Sequence, residues 1–123
     1  MLKFTQDHEW LKIEGDEATI GITAYAAKQL GELVFVELPD LERTVKQGDA
    51  VVVVESCKAA SDVYAPVDGT IIAVNDKVVD APNLVNSDAL TEGWLFKVKI
   101  SNPAQLDGLM DEKTYTDMVG DDQ

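Results

Sequence analysis

Apolar and polar residues alternate over several short stretches of the chain, which is typical of half-buried β-strands. Near the N-terminus, residues 9–14 and 17–22 bracket the turn pair Gly15 and Asp16. In the second stretch apolar residues recur at every other position, as one face of a sheet requires. The pattern predicts a β-hairpin at this end of the chain.

Two later stretches also predict strands. Residues 33–38 are apolar apart from Glu37, and Pro39 removes the hydrogen-bond donor that would continue the ladder. Residues 94–100 alternate most regularly, with the large apolar side chains on one face. We expect a buried strand ending in a turn, followed much later by a strand with one core face.

A short helix is predicted between these strands. Thr23 is a suitable N-cap for residues 24–30, and Gly31 stands where helices commonly end in a left-handed conformation. A second helical segment is predicted over 103–119, because Asn102 and a proline open it and apolar residues follow at helical spacing. We expect residues 120–123 to fray.

The stretch 51–72 carries one lysine, Lys58, between two apolar runs. Gly48 stands ten residues before this lysine and Gly69 eleven after it. The flanking segments are therefore expected to pair as a near-symmetric hairpin with Lys58 at its tip. A lysine presented in this way, and not packed, suits covalent loading.

A faint internal repeat surrounds this lysine. Residues 48–54 and 69–75 superpose at an offset of 21 residues, and two such half-motifs facing each other would form a flattened antiparallel sandwich. The expected fold is therefore mainly β, a flattened antiparallel β-sandwich or barrel with a short helix near 24–30 and a C-terminal helix. At 123 residues, with no long linker, we expect one domain over 1–123.

The composition indicates the type of protein and its cellular compartment. With 46% hydrophobic and 27% charged residues the chain reads as globular, and a single cysteine, Cys57, fits a reducing compartment. No apolar run approaches the roughly 20 residues of a membrane helix, and the N-terminus has no export or organelle signal. We expect a cytoplasmic, bacterial protein, with a processed mitochondrial form left open.

The formal net charge of −13 opposes binding to a phosphate backbone or an anionic lipid surface. We therefore expect neither nucleic acid nor a membrane as a partner. Two interpretations of the acidic surface stay open: it keeps the protein soluble, or it steers the protein toward basic partner surfaces.

Independent catalysis is not expected. There is one histidine, His8, no Cys-x-x-Cys motif and no calcium-loop spacing, so no metal site is predicted. No serine elbow or phosphate loop is present. A general-base role for His8, next to Glu9, is a minor alternative.

Several motifs together resemble the lipoyl and biotinyl carrier domains and, among them, the H protein of the glycine cleavage system. They are His8-Glu-Trp10, GITAYA at 21–26, LGELVFVELP at 30–39, ESCKAASD at 55–62 and Asn86-Ser87. The resemblance covers about residues 4–119. It implies that lipoate is attached to Lys58, whereas biotin is disfavoured because biotinyl carriers typically place Met on both sides of the lysine.

The sequence departs from this family at two places. Cys57 stands where the family usually has Val, and it is interpreted as a space-filling small residue in preference to a redox role. The family usually carries a glycine around residues 41–43, and its absence here leaves the local turn geometry undefined.

The resemblance also implies a reaction cycle and partners. A pyridoxal-phosphate glycine decarboxylase would load an aminomethyl group onto the arm, and a tetrahydrofolate-dependent aminomethyltransferase would remove the one-carbon unit. Dihydrolipoyl dehydrogenase, a flavoprotein, would reoxidise the arm, and a lipoate-attaching enzyme would install it. A monomer meeting these enzymes transiently is expected; a lipoate relay or binding scaffold is the alternative.

The loaded arm would carry a basic amine, so a sheltering cleft with a carboxylate partner is expected. Glu9, from the His-Glu-Trp motif, and Asp62, four residues after Lys58, are the candidates. The alternative is that both are solvated surface carboxylates.

Overall fold

The computed structural model describes residues 1–120 and contains two antiparallel β-sheets packed face to face. The larger sheet has the strand order β1-β2-β3-β9-β8-β5, and the smaller has the order β4-β6-β7. The strands are β1 Leu2–Phe4, β2 Glu9–Glu14, β3 Glu17–Ile22, β4 Leu33–Glu37, β5 Thr44–Val45, β6 Ala50–Ser56, β7 Ala60–Tyr64, β8 Gly69–Val74 and β9 Phe96–Ile100. The helices are α1 Ala24–Leu30, α2 Lys77–Asp80, α3 Leu84–Ser87 and α4 Glu112–Val119, with a 3-10 helix at Pro103–Gly108.

The predicted mainly β sandwich is confirmed, and the sheets do not close into a barrel. The N-terminal hairpin has the predicted bounds, because β2 and β3 pair from Glu14 opposite Glu17 to Glu9 opposite Ile22. The helix α1 also matches the prediction. Thr23 caps it by accepting a hydrogen bond from the Ala26 N–H at 3.2 Å.

One core fills the space between the sheets. Both members of the faint repeat contribute to it, since residues 48–54 supply β6 of the small sheet and residues 69–75 supply β8 of the large one. Val54 and Ile71, one from each strand, are both fully buried. The two half-motifs therefore lie in facing sheets, as the repeat predicted.

The lysine-bearing hairpin is shorter than the glycine spacing predicted. Its second arm is β7, and Gly69 instead opens β8 in the other sheet. At the end away from Lys58, the pairing of the hairpin ends where the Ala65 N–H donates to the Asp49 carbonyl at 2.8 Å. Pro66 follows directly, and because it has no N–H the chain leaves the ladder and crosses to the large sheet.

The C-terminal segment forms two helices separated by a sheet-like contact. The 3-10 helix ends at Gly108, and Met110 then exchanges backbone hydrogen bonds with Phe4 at 2.8 and 2.9 Å. This bridge prevents one continuous helix through the apolar residues. A new cap at Asp111, which accepts from the Thr114 N–H at 2.8 Å, starts α4. Of residues 120–123, which were predicted to fray, residues 121–123 lie outside the described residues, and the Gly120 N–H donates to the Thr116 carbonyl at 3.0 Å.

The turn that lacks the family's glycine keeps a left-handed backbone. Glu42 has a φ of 68°, a conformation that glycine adopts without cost and other residues adopt rarely. Its N–H donates to the Ile71 carbonyl at 2.8 Å, so a tertiary hydrogen bond supports the strained residue. No helix within residues 1–120 is long and apolar enough to cross a membrane.

Candidate functional site

Lys58 lies at the tip of the hairpin formed by β6 and β7. The three turn residues between the strands, 57–59, are all exposed. The Ser56 hydroxyl organises the turn, because its oxygen accepts from the Lys58 N–H at 3.3 Å and from the Ala59 N–H at 3.1 Å. The same hydroxyl donates to the Leu30 carbonyl at 2.7 Å, which ties the hairpin tip to the end of α1.

The stem of Lys58 crosses the backbone of Gly31. This glycine has a φ of 91° and a ψ of −174°, a region that is essentially restricted to glycine. A Cβ at this position would also lie 3.2 Å from Lys58 Cε. Gly31 therefore permits both the chain reversal after α1 and the close approach of the lysine.

The motif residue Asn86 holds the loop between α1 and β4 in place. Its side-chain oxygen accepts from the Leu33 N–H at 2.9 Å, and its amide donates to the Gly31 carbonyl at 2.9 Å. Asn86 belongs to α3, an element that the hydrophobic pattern did not predict. Its contact with a loop more than 50 residues earlier explains why that motif accompanies the lysine motif.

Substituting Gly31 by alanine tests this loop. We expect Gly31→Ala to lower the free energy of unfolding by about 1–3 kcal/mol, because a Cβ is strained at this φ and ψ. Lipoylation is expected to slow as well, since the Cβ pushes the lysine stem away. Urea unfolding and intact-protein mass over time measure the two effects. Gly108→Ala, where a Cβ meets no atom within 4 Å, is the matched control.

A cavity of about 310 Å³ opens between α1 and the free edge of β7. Glu9 and Asp62, the two predicted carboxylates, both line it. Their environments differ, because Glu9 is 2% exposed whereas Asp62 lies largely in solvent. The structure therefore brings the two residues to one cavity but buries only Glu9.

Glu9 is a desolvated carboxyl group without a cationic partner. One oxygen accepts from the Tyr64 N–H at 2.7 Å and the other from the Thr5 hydroxyl at 3.2 Å. Burial raises its pKa to about 7, and the charge of Asp7 acts in the same direction. Within residues 1–120 no Lys, Arg or His reaches it as a salt bridge. The Glu9 carboxyl group can therefore ionise and bind a cationic group at near-neutral pH.

Asp7 is a site residue that the sequence analysis did not single out. It lines the same cavity as Glu9 and Asp62, so three carboxyl groups face one small volume. Its position directly before the His-Glu-Trp motif was the available signal. Acidic residues are so frequent in this chain that residue type alone could not distinguish it.

His8 also borders the cavity, but its ring is engaged elsewhere. Its Nδ1 lies 2.9 Å from the Tyr115 hydroxyl, and its ring packs on Tyr25 with centroids 4.8 Å apart. Burial lowers the pKa of the ring, which favours its neutral form at physiological pH. These contacts give His8 a structural role in the wall.

Cys57 is exposed in the hairpin turn. The interpretation of this residue as a space filler is wrong, because an exposed turn side chain fills no space in the core. Within the described residues 1–120, no group of three or more His, Cys, Asp or Glu side chains is placed to hold a metal ion.

The same architecture is found in a solved structure. The crystal structure of a glycine cleavage system H protein from Mycobacterium marinum superposes with a TM-score of 0.89 at 37% identity, covering 97% of this chain and 96% of that one. A flattened sandwich of this kind, with a lysine at the hairpin tip, places the chain among the lipoyl and biotinyl carrier domains. The Glycine cleavage H-protein family model matches residues 2–122, and the chain belongs to that family.

A curated relative supports the same assignment. The glycine cleavage system H protein of Phenylobacterium zucineum (strain HLK1) is 55% identical over 118 residues, which are 96% of this chain and 98% of the relative. The chain is thus a lipoyl carrier of the glycine cleavage system, a carrier component and not an enzyme. It works with the other proteins of that system.

Proposed function

We propose that the chain, as one carrier domain over 1–123, moves the aminomethyl group of glycine between enzymes on lipoate attached to Lys58. The pyridoxal-phosphate decarboxylase loads the arm, and the tetrahydrofolate-dependent aminomethyltransferase unloads it. Dihydrolipoyl dehydrogenase then reoxidises it, in the cytoplasm. The observation that carries the proposal is an exposed lysine at a hairpin tip beside a cavity that holds an unpaired buried carboxyl group.

The residues present fit such an arm. Lys58 is accessible to a lipoate-attaching enzyme, and its stem rests on Gly31. Strand β7 begins at Ala60, two residues after Lys58, and runs four residue steps, or about 13 Å, to Tyr64, whose N–H donates to Glu9. A lysine stem extended by a lipoyl chain reaches on the order of 14 Å at bond lengths of about 1.5 Å. An arm that lies along β7 would therefore enter the cavity that Asp62 and Glu9 line.

Lipoate, when bound, supplies a strained dithiolane that nucleophiles open readily. The protein's own residues supply the shelter for the cargo. Glu9 exchanges its proton near neutral pH, so a cationic amine entering the cavity stabilises the ionised carboxylate. Asp7 and Asp62 add negative potential at the same cavity. Low exposure at Glu9 keeps water away from the amine and slows loss of ammonia.

The shuttle is favoured over a lipoate relay or a binding scaffold by this cavity. A relay needs only an accessible lysine, whereas a desolvated acid costs folding free energy that the binding of a cation would offset. The net charge of −13 supports steering toward basic surfaces of the partner enzymes. We propose a monomer, since a carrier must leave each enzyme quickly.

Reconstitution tests the proposal. The lipoylated chain, combined with the decarboxylase, aminomethyltransferase and dihydrolipoyl dehydrogenase, is expected to support exchange of labelled CO2 with glycine. Intact-protein mass before and after lipoamidase treatment verifies the modification and its removal. A chain that is fully lipoylated yet supports no exchange would favour the relay instead.

A further inference from the structure

One hydroxyl group joins the C-terminal helix to two separate parts of the molecule. Tyr115, on α4, is 2% exposed, and its ring stacks on Phe4 with centroids 4.7 Å apart and planes at 9°. Its oxygen lies 2.9 Å from His8 Nδ1 and 2.7 Å from the Thr23 hydroxyl. The aromatic ring is held by packing, so the position of the hydroxyl is fixed.

The two groups that it joins belong to different walls of the cavity. His8 lies in the segment that carries Glu9, on the side of β2. Thr23 caps α1, whose residues Tyr25 and Leu30 line the other wall. The Tyr115 oxygen thus adds side-chain contacts to both residues, next to the backbone hydrogen bond that joins Thr23 to His8.

The backbone at His8 shows that this segment needs support. Its φ is 67°, a left-handed conformation that few residues other than glycine adopt and that costs free energy. The His8 N–H donates to the Thr5 carbonyl at 3.2 Å, and the Thr23 N–H donates to the His8 carbonyl at 2.9 Å. The Tyr115 hydroxyl holds the side chain as well, so the whole residue is fixed between α1 and α4.

We propose that Tyr115 is a positioning residue for the arm: through its contacts with the His8 ring and the Thr23 hydroxyl it holds the cavity wall in the orientation that encloses the amine beside Glu9. It does not touch the arm. The proposal rests on the shuttle function, and it assigns the C-terminal helix a part in sheltering the cargo.

Tyr115→Phe isolates the hydroxyl, because the ring and its stacking on Phe4 remain. The first measurement uses the unlipoylated protein and follows the ring resonances of His8 by NMR; the chain has one histidine, so the signal is unique. The groups around it are Asp7, Tyr25 and the Tyr115 hydroxyl. We expect the pKa of His8 to rise toward its ordinary value as the ring loses this contact and becomes better solvated.

The second measurement uses the lipoylated protein loaded with the aminomethyl group. In Tyr115→Phe we expect the half-life of the isolated adduct to fall about fivefold, the factor that one hydrogen bond commonly contributes. The rate of lipoylation should not change, since the hairpin tip is untouched. Met118→Ala, an exposed position on the same helix, is the control and should retain the wild-type half-life.

Thr23 gives the same test from the other wall. Thr23→Val removes the second contact together with the cap of α1 and should also shorten the half-life, whereas Thr23→Ser keeps both and should restore it. If Tyr115→Phe does not fold, the His8 titration in Thr23→Val replaces it, because loss of the Tyr115 contact shifts that titration and loss of the cap at Ala26 does not. An unchanged His8 titration together with a wild-type adduct half-life in Tyr115→Phe would overturn the inference, as would an equal effect of Thr23→Val and Thr23→Ser.

The wild-type protein separates this inference from the shuttle proposal. If its adduct decays as fast as the same adduct on free lipoamide, the sheltering function itself fails. If the wild-type adduct is protected and Tyr115→Phe protects it equally, only the positioning role fails.

Discussion

Replacing Lys58 by arginine is expected to abolish lipoylation and, with it, glycine cleavage in the reconstituted system. Arginine keeps the positive charge and the length of the side chain, but its guanidinium has no ordinary amine to acylate. The fold should tolerate the change because the turn side chain is exposed and its backbone is held by Ser56. Intact-protein mass reads the modification, and labelled CO2 exchange reads the function.

Lys28→Arg provides the matched control for this result. Lys28 is exposed on α1, close in sequence to the loop beneath the hairpin, and has no assigned role. The Lys28→Arg protein should be lipoylated at Lys58 and active like the wild type. Retention of exchange activity by a Lys58→Arg protein of unmodified mass would refute the attachment site.

The second large effect is expected at Glu9, where one substitution should change stability and function in opposite directions. Glu9→Gln keeps the shape of the side chain and can still accept from the Tyr64 N–H. It removes the group that receives the cationic amine, so the loaded arm should lose ammonia at least tenfold faster, the loss expected for a charge-assisted hydrogen bond. The lifetime of the isolated adduct measures this.

The pH dependence of stability follows from the raised pKa of Glu9. The ordinary value is 4.5 and the folded value is about 7, so the folded state binds this proton more tightly than the unfolded state does. The free energy of unfolding therefore falls as pH rises from about 4.5 to about 7, by at most about 3 kcal/mol. Glu9→Gln should remove this fall and be the more stable protein at pH 8.

An exposed glutamate on the same strand serves as the control for Glu9. Glu14→Gln removes one negative charge from β2 without touching the cavity, and both its stability profile and its adduct lifetime should match the wild type. Asp62→Asn should shorten the lifetime less than Glu9→Gln, because its carboxylate is exposed to water. If the variant that combines Glu9→Gln with Asp62→Asn keeps the adduct lifetime of the wild type, the carboxylate role is refuted.

The parts of the fold that sequence predicted well are those set by local signals. The bounds of β2 and β3 follow from the Gly15-Asp16 turn and strict alternation, and α1 follows from its Thr23 cap and terminal Gly31. Each signal acts within a few residues. The prediction that Lys58 lies at a hairpin tip used the motifs that resemble a family as well as the flanking apolar runs.

Other elements depend on contacts that a local pattern does not contain. Strand β7 buries only Val63, so its sequence shows no alternation, and the pattern does not indicate that it ends at Tyr64, before Gly69. The helices α2 and α3 have four residues each, too few to show helical periodicity. They form because the loops they occupy pack on the rest of the molecule.

The candidate site illustrates the same limit. That Glu9 belonged to a site was suggested by its motif, but its burial depends on the backbone of Tyr64, 55 residues later in the chain. The link between His8 and Tyr115 spans 107 residues and could not be predicted from either neighbourhood. Sequence identified several of the groups, and tertiary packing determined their environments.

Leu30 contacts both the turn that carries Lys58 and the cavity that Glu9 lines. Its carbonyl accepts from Ser56 in the lysine turn, while its side chain lines the cavity beside Glu9. The lysine turn and the cavity wall are thus joined at one residue by a hydrogen bond of 2.7 Å. Any displacement of the lysine turn must therefore either stretch this bond or move the cavity wall with it.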